Sequence, residues 1–552
     1  MDGKPLGEKK HWLQDDYVKF LRFAQWKIEQ AGCGVVGMIT NHGYLDNPTF
    51  RGMRQSLMRT FDEIYILDLH GNSLKKETCP DGSPDKNVFD IRQGVAIAFF
   101  IKRGGAETRG TVRHADVWGT RQAKYSWLND RDLKHTDWVK LRPTAPFYLF
   151  VPRDTVGEEE YEAFIPVTEL FPLNVTGIVT ARDELCIDFN EAALLAKIRP
   201  LQDHKLSDDY VRQYLAALLG RTPSKVENYA WRIPAARSSL QDVTNLNERI
   251  VPILYRPFDV RKVFYHDSIV WRTRAQVMRH MLAGENLALI TMRQVSLDEP
   301  YTHVLATSRI VDNRTFVSSK GITTELPLYL YPAADQGHLF APHEPWERKP
   351  NLNAKLVAAL AEAYGRVPTP EEIFHYVYAV LYAPTYREKY AEFLRMDFPR
   401  VPFTTDAAVF KKLAALGKRL TALHLLISPE LDPPACRFEG QGDSRIAKGR
   451  KAGLRYEPSE QRVYINATQY FAPVPEPVWT YRVGGYQVCE KWLKDRQERR
   501  LEVDDIRTYC RIVTTLRLSL GIQQEIDALY PQAENRTVVL PRSVDAPSHP
   551  AS

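Results

Sequence analysis

The side chains best suited to chemistry on an anionic polymer fall in a few clusters. Arg256, Arg261, Lys262, Arg272, Arg274 and Arg279 alternate with Phe258, Phe264, Tyr265 and Trp271. Arg and Lys bind phosphate oxygens and the guanine edge, and aromatic rings can pack beneath them. The plainer reading of the same pattern is a charged sheet face. Asn313-Arg314 joins the two side chains that make bidentate contacts to adenine and guanine, although the dipeptide also makes an ordinary turn. Lys448, Arg450 and Lys451, within the basic stretch Arg445 to Arg455, suit a backbone clamp or a solvated loop. Arg51 and Arg54 flank Gly52 beside Asn47-Pro48, where a helix N-terminus would carry them to phosphate; a solvated helix face is the bland alternative.

Other chemistries find no support. There is no Walker A loop, no G-x-G-x-x-G after a strand, no H-E-x-x-H, no EF-hand loop and no G-x-S-x-G. The six cysteines, Cys33, Cys79, Cys186, Cys436, Cys489 and Cys510, are far apart and contain no C-x-x-C. Neither a zinc ribbon nor a disulfide framework follows, no metal centre is expected, and a reducing cytoplasm fits. Cys33 stands between two glycines with no histidine placed beside it by a local motif, so it reads as a small strand-edge residue. Asp432-Pro433-Pro434-Ala435 is similar to the D-P-P-Y tetrapeptide that holds an exocyclic amine in amino-methyltransferases. Its fourth residue is Ala where the stacking aromatic belongs, which makes it a loop spacer.

These clusters must be positioned by a long chain. At roughly 150 residues per domain, 552 residues predict three to four domains. With 44% hydrophobic, 26% charged and 11% aromatic residues the composition is globular and excludes a mostly disordered or fibrous chain. Lys and Arg total 74 against 68 Asp and Glu. That surplus is too small to imply a polyanion partner by itself, so any basic surface is local. The N-terminus, Met1-Asp2-Gly3-Lys4, has no apolar signal region. The most apolar run, Val95 to Ile101, is about a third of the roughly 20 residues of a spanning helix.

Along the chain, Asp15-Asp16 caps a helix that Gly32 stops, and strands follow over Val35 to Thr40 and Glu63 to Leu69 with an amphipathic helix, Thr49 to Phe61, between them. Asn87 to Lys102 reads as one long apolar strand. This βαβ rhythm predicts a parallel sheet covered on both faces. From Arg103 to Pro152 an elaborated hairpin and exit loop are expected. Helical stretches mark 153–250, and 251–332 is rich in β-branched and aromatic residues, as in a mixed or all-β subdomain. Helices return at Ile373 to Leu381, Thr385 to Met396 and from Val503 to about Leu529.

An ordered set of phrases carries a resemblance. Tyr17-Val18-Lys19-Phe20, Gly37-Met38-Ile39-Thr40-Asn41, Thr49-Phe50-Arg51-Gly52-Met53-Arg54, the run Phe61 to Asn72 and the run Asn87 to Ile97 resemble the second half of the methyltransferase domain in bacterial restriction–modification polypeptides that make N6-methyladenine. The likeness is greatest to the single-polypeptide, or type ISP, enzymes. Tyr255-Arg256-Pro257-Phe258-Asp259, Asp312-Asn313-Arg314-Thr315, Leu326 to Pro332, Ala383 to Arg387, Asp397 to Pro402 and Gly484 to Leu493 resemble that family's C-terminal specificity region. The resemblance spans residue 12 to about 530.

The resemblance implies an α/β fold: a partial Rossmann-like methyltransferase sheet over 1–152, a helical coupler over 153–250, a mixed α/β target recognition domain with C-terminal helices over 251–530, and a disordered tail over 531–552. It implies double-stranded DNA as partner and S-adenosylmethionine as methyl donor in the intact enzyme. In that family the glycine-rich cofactor loop and the N-P-P-Y-type catalytic loop precede the position of Trp12, and neither is in this sequence. The family's N-terminal nuclease and helicase-like ATPase are absent too. The chain is therefore expected to be inactive alone and to act with an upstream polypeptide carrying those parts. A stand-alone specificity subunit and a non-functional gene remnant are the alternatives. Phe89 occupies the place where, by resemblance, an aromatic stacks on the flipped adenine; a core Phe at a strand start is the other reading.

Overall fold

The structure, a computed structural model, describes residues 11–74, 77–105, 110–145, 147–153, 156–228, 230–295, 300–317, 321–332, 348–449 and 453–538. They form two compact units, one within residues 1–155 and one within 156–542. Arg450 and Lys451 lie outside the described residues, as do residues 539–552 of the expected tail.

In the first unit, α1 (Asp16–Ala31) leads into β1 (Gly34–Asn41), and α2 (Arg51–Thr60) into β2 (Glu63–Asp68). β3 (Val95–Lys102), β4 (Thr111–Asp116), α3 (Arg121–Asp130) and β5 (Val139–Leu141) follow. The strand order is β1-β3-β2-β4-β5. β2 and β4 are parallel, but β3 runs antiparallel to both of its neighbours. This corrects the all-parallel expectation. A parallel return needs a crossover to the far end of the sheet, usually by a helix, whereas residues 69–94 fold back at the end where β2 stops. The apolar strand begins at Val95, not Asn87, because the Asn87 amide folds residues 87–93 into a loop by donating to Gly71 O and Gln93 O.

Coverage of both faces is also incomplete. Leu21, Leu57, Ile64, Ile66, Ala98 and Phe100 make one core, while Leu67, Leu69, Val88, Val95 and Val117 make another. On β1, however, Val35 and Ile39 remain 62% and 53% exposed. Helix α3 lies where a hairpin was expected. Its anchor is a charge: the fully buried Lys124 ammonium donates to Leu69 O, Lys86 O and Asp85.

The second unit has one hydrophobic core drawn from residues 161 to 533. Helices α4 (Glu191–Gln202), α5 (Asp208–Leu218) and α6 (Ile233–Gln241), all within the expected coupler, contribute Leu194, Leu215 and Leu240 to the same core as the residues beyond 250. Two four-stranded sheets lie at its centre. The first contains β7 (Ile187–Asp188), β8 (Ile250–Arg256), β9 (Asp259–Phe264) and β12 (Ile310–Val311). Its order is β12-β8-β9-β7. The second has β6 (Val175–Thr176), β10 (Ala288–Met292), β11 (Val304–Thr307) and β13 (Thr323–Pro327), in the order β11-β10-β13-β6. A helix, α7 (Ala275–Leu282), interrupts the β region.

Helices α8 (Pro370–Tyr382) and α9 (Ala407–His424) pack with the last helix, α10 (Val503–Glu534). Helix α10 continues through Pro531, beyond the expected end near Leu529, because Tyr530 and Ala533 are buried. Among the described residues no helix is long and apolar enough to cross a membrane.

Candidate nucleic-acid interface

A short extended segment, Gly177–Val179, gathers the second unit's candidate residues. Ile178 N–H donates to Val311 O and Asn313 N–H to Ile178 O, both at 2.9 Å. On the next residue Val179 and Arg272 exchange two backbone bonds of 3.0 Å. Arg272 and the Asn313-Arg314 turn are thus drawn to one three-residue extended segment by two isolated bridges. Gly177 permits the approach, since a Cβ there would lie 2.6 Å from the Asp312 carbonyl carbon. Beside them, Val317 N–H donates to Gly484 O at 2.8 Å, bringing in the Gly484-Gly485-Tyr486 turn.

The turn is fixed from behind. Asp312, buried to 2% exposure, accepts from Arg256 Nη1 and from Arg314 N–H at 2.8 and 2.9 Å. Burial pushes its carboxyl up to about 6, with the Arg256 charge pulling the other way. Arg256 also lies 3.7 Å over the Tyr255 ring. It positions the turn and does not itself reach outward.

Cations separate into two groups. Arg261 pairs with Asp259 and Asp495, and Lys262 pairs with Glu191. Asp259 is buried and also holds Arg496, so Arg261 belongs to an internal charge network. Arg272 and Arg314 are exposed and Arg274 is half-buried. Among the described residues no carboxylate lies within ion-pair distance of these three, and the Arg274 Nε is buried without a hydrogen-bond partner. Burial, then the Arg272 charge, lowers the Arg274 pKa. Guanidiniums in this state favour an anion beside them.

In the first unit, the loop after β2 presents an aromatic. Phe89 is 43% exposed, which removes it from the core. Its N–H donates to Asn87 Oδ1 at 2.8 Å, Arg121 Nε donates to Asn87 O at 2.9 Å, and Tyr125 OH donates to Val88 O at 2.6 Å. The backbone is held while the ring projects. By contrast, Arg54 is fully buried and its guanidinium donates to the carbonyls of Tyr44, Asn47, Phe147 and Tyr148. Its assignment to DNA phosphate is therefore corrected. Arg51 donates to Pro48 O from the same helix start.

Residues 169–519, well over half of the sequence, match the family described as the Type ISP C-terminal specificity domain. The chain belongs to the Type ISP specificity-domain family. Three solved structures share its fold: the DrdV–DNA complex (24% identity, TM-score 0.68), the ATP-dependent Type ISP restriction–modification enzyme LlaBIII bound to DNA (20%, 0.69) and a nuclease-deletion mutant of the Type ISP enzyme LlaGI in complex with a DNA substrate mimic (18%, 0.66). They cover 94%, 92% and 93% of this chain, which spans only 52%, 34% and 40% of theirs. No curated protein sequence matches.

Within the Type ISP specificity domain, the structure brings Arg272, Asn313 and Arg314 together, with Arg274 close along the chain. Arg256 and Arg261 it assigns to largely buried pairs, which corrects their placement on an open surface, whereas Lys262 stays at the surface with its charge paired to Glu191. Lys448 is exposed and faces Glu498 at 3.4 Å. The sequence offered no sign of Gly177–Val179, the extended segment that joins the site, because three residues carry no period. Asp432 of the proline tetrapeptide pairs with Arg507 and Arg511 at 3.6 and 3.3 Å, as a structural spacer does. S-adenosylmethionine does not fit the described residues: the carboxyl ends of β1, β2 and β4 are filled by His42, Asp68, His70, Asp116 and Trp118, which bond and stack with one another. No glycine-rich turn into a helix follows any of them.

Proposed function

We propose that this chain recognises a specific sequence in double-stranded DNA for a Type ISP restriction–modification enzyme. The observation that carries the reading is the convergence of Arg272, Asn313 and Arg314 on the extended Gly177–Val179 segment, with the two arginines uncompensated by any carboxylate among the described residues. Arg272 and Arg274 suit phosphate contacts that set register, and Asn313 and Arg314 suit the adenine and guanine edges that supply specificity. The solved DNA complexes named above share this fold and support the same reading. The test is a selection of random duplexes by the full-length chain, followed by a salt titration. Enrichment of one motif is expected; binding with a steep salt slope and no motif would indicate backbone clamping alone.

In the intact system the recognised site would be methylated at adenine N6, with Phe89 stacking on the flipped base. Its exposed ring on a hydrogen-bonded loop supports that role. The cofactor and catalytic loops would come from residues other than these, supplied by an upstream methyltransferase half. The edge of β1, which pairs with no further strand among the described residues and leaves Val35 and Ile39 exposed, supports a sheet that continues into such a partner. In the reconstituted enzyme, Phe89→Ala should weaken capture of a fluorescent adenine analogue by about 1–3 kcal/mol, the worth of one base stack. Stability should stay within about 0.5 kcal/mol, as for other surface changes. Unchanged fluorescence would remove the stacking role.

A further inference from the structure

We propose that His42, Asp68 and His70 form a zinc site in the first unit. His42 follows β1, Asp68 ends β2 and His70 stands two residues beyond it. One nitrogen from each imidazole and a carboxylate oxygen all lie within 4.8 Å of one another, and all three residues are buried. His42 Nδ1 is 3.0 Å from Asp68 Oδ1, and His70 Nδ1 is 3.8 Å from Asp68 Oδ2. Ligands about 2.0–2.1 Å from a tetrahedral Zn²⁺ stand roughly 3.3–3.5 Å apart. Measured to the one oxygen Asp68 Oδ2, His42 Nδ1 lies at 3.2 Å and His70 Nδ1 at 3.8 Å, on either side of that range.

The outward nitrogens are already engaged. His70 Nε2 lies 2.8 Å from Asp116 Oδ1, and His42 Nε2 lies 3.2 Å from Asn72 Nδ2 and 4.0 Å from Glu77 Oε1. A carboxylate on the far side of a histidine orients a metal-binding imidazole and raises its basicity, as Asp116 does for His70; at His42 the Asn72 amide donates to Nε2, so metal binding at Nδ1 requires that amide to turn and accept. Trp118 stacks on His70 with centroids 3.3 Å apart, and a Cβ at Gly94 would lie 2.3 Å from His42 Cε1, so both rings are seated. His70 is held at φ +50°, and its own N–H donates to Asp68 Oδ1 at 2.9 Å. A left-handed conformation at a non-glycine residue is unfavourable and marks a position over-determined by its surroundings.

Two imidazoles and one carboxylate without thiolate suit a borderline divalent ion such as Zn²⁺. Mg²⁺ and Ca²⁺ demand six or more oxygens. The three ligands leave one tetrahedral position for solvent. The ion would tie the end of β1 to the loop after β2, whose Gly71 O accepts from Asn87, the residue that holds Phe89. Metal binding does not depend on whether Phe89 stacks on a base, so this site and the DNA reading are tested separately.

The test is titration of the chelator-treated full-length chain with Co²⁺, followed by visible absorption, and with Zn²⁺ in competition. A single saturable site with the intense bands of four-coordinate Co²⁺ is expected. Asp116→Asn, a change in the outer shell, should weaken affinity about 10–100-fold, and Asp68→Asn with His70→Gln should abolish binding. Absence of saturable binding by the unaltered chain, or equal binding by the double variant, would leave a metal-free hydrogen-bonded cluster and overturn the proposal.

Discussion

Arg54→Ala should destabilise the first unit by about 3–5 kcal/mol, the range for removing a large buried side chain. Arg54 is fully buried, and four backbone carbonyls converge on it: Tyr44 and Asn47 near the helix start, Phe147 and Tyr148 from almost a hundred residues away. Burial, the largest influence, pulls its guanidinium down to about 9, so it remains charged at neutral pH. Its loss opens a cavity and strands acceptors that water cannot reach, each at a cost of about 1–3 kcal/mol. Lysine should rescue only in part, because an ammonium cannot reproduce the planar fork. Hydrogen exchange read by mass spectrometry localises the effect: amides of β1 and residues 147–150 should lose protection while those of α8 and α9 keep theirs. Unchanged exchange would show that the four carbonyls find other donors.

The second large effect is expected on DNA. Replacing Arg272, Arg274 and Arg314 by Ala removes three cations that no carboxylate neutralises among the described residues. Each contact of this kind is worth about 1–3 kcal/mol. Each lost phosphate contact also reduces the salt slope by about 0.9. Affinity at moderate salt should therefore fall by at least about a hundredfold. The matched control is Lys262→Ala, which removes a charge already held by Glu191 and should change affinity little. Equal losses in both variants would mean that net charge, not this surface, drives binding. Arg256→Ala should behave differently again. It frees the buried Asp312 and loosens the turn, so specificity should suffer along with stability.

Local rules carried much of the fold. The apolar runs of β1, β2 and β3 are visible in the sequence because buried strands are written as continuous hydrophobic residues. The direction of β3 is not visible, since the loop over 69–94 that sets it has no period. Helix α3 was hidden for another reason: its buried anchor is Lys124, which by itself reads as a surface residue. The cation clusters show the limit most sharply. Arg256, Arg261 and Lys262 look like Arg272 and Arg314 in composition, yet the carboxylates that hold Arg256 and Lys262 lie 56 and 71 residues away, and Arg261 joins Asp495, 234 residues away, as well as its near neighbour Asp259. Only the fold decides which charges are spent inside and which face outward. Phe89 goes the other way, since its context suggested either core or surface and the Asn87 bond resolves it to the surface.

The central claim is that the Asn313-Arg314 turn reads bases. The direct measurement is a parallel selection from random duplexes with the full-length chain and with Asn313→Ala, Arg314→Ala. The unaltered chain should enrich a defined motif, and the variant should keep its flanks while losing discrimination at one or two positions, at about 1–3 kcal/mol per base pair. The same motif, recovered at the same strength by both proteins, would contradict the assignment.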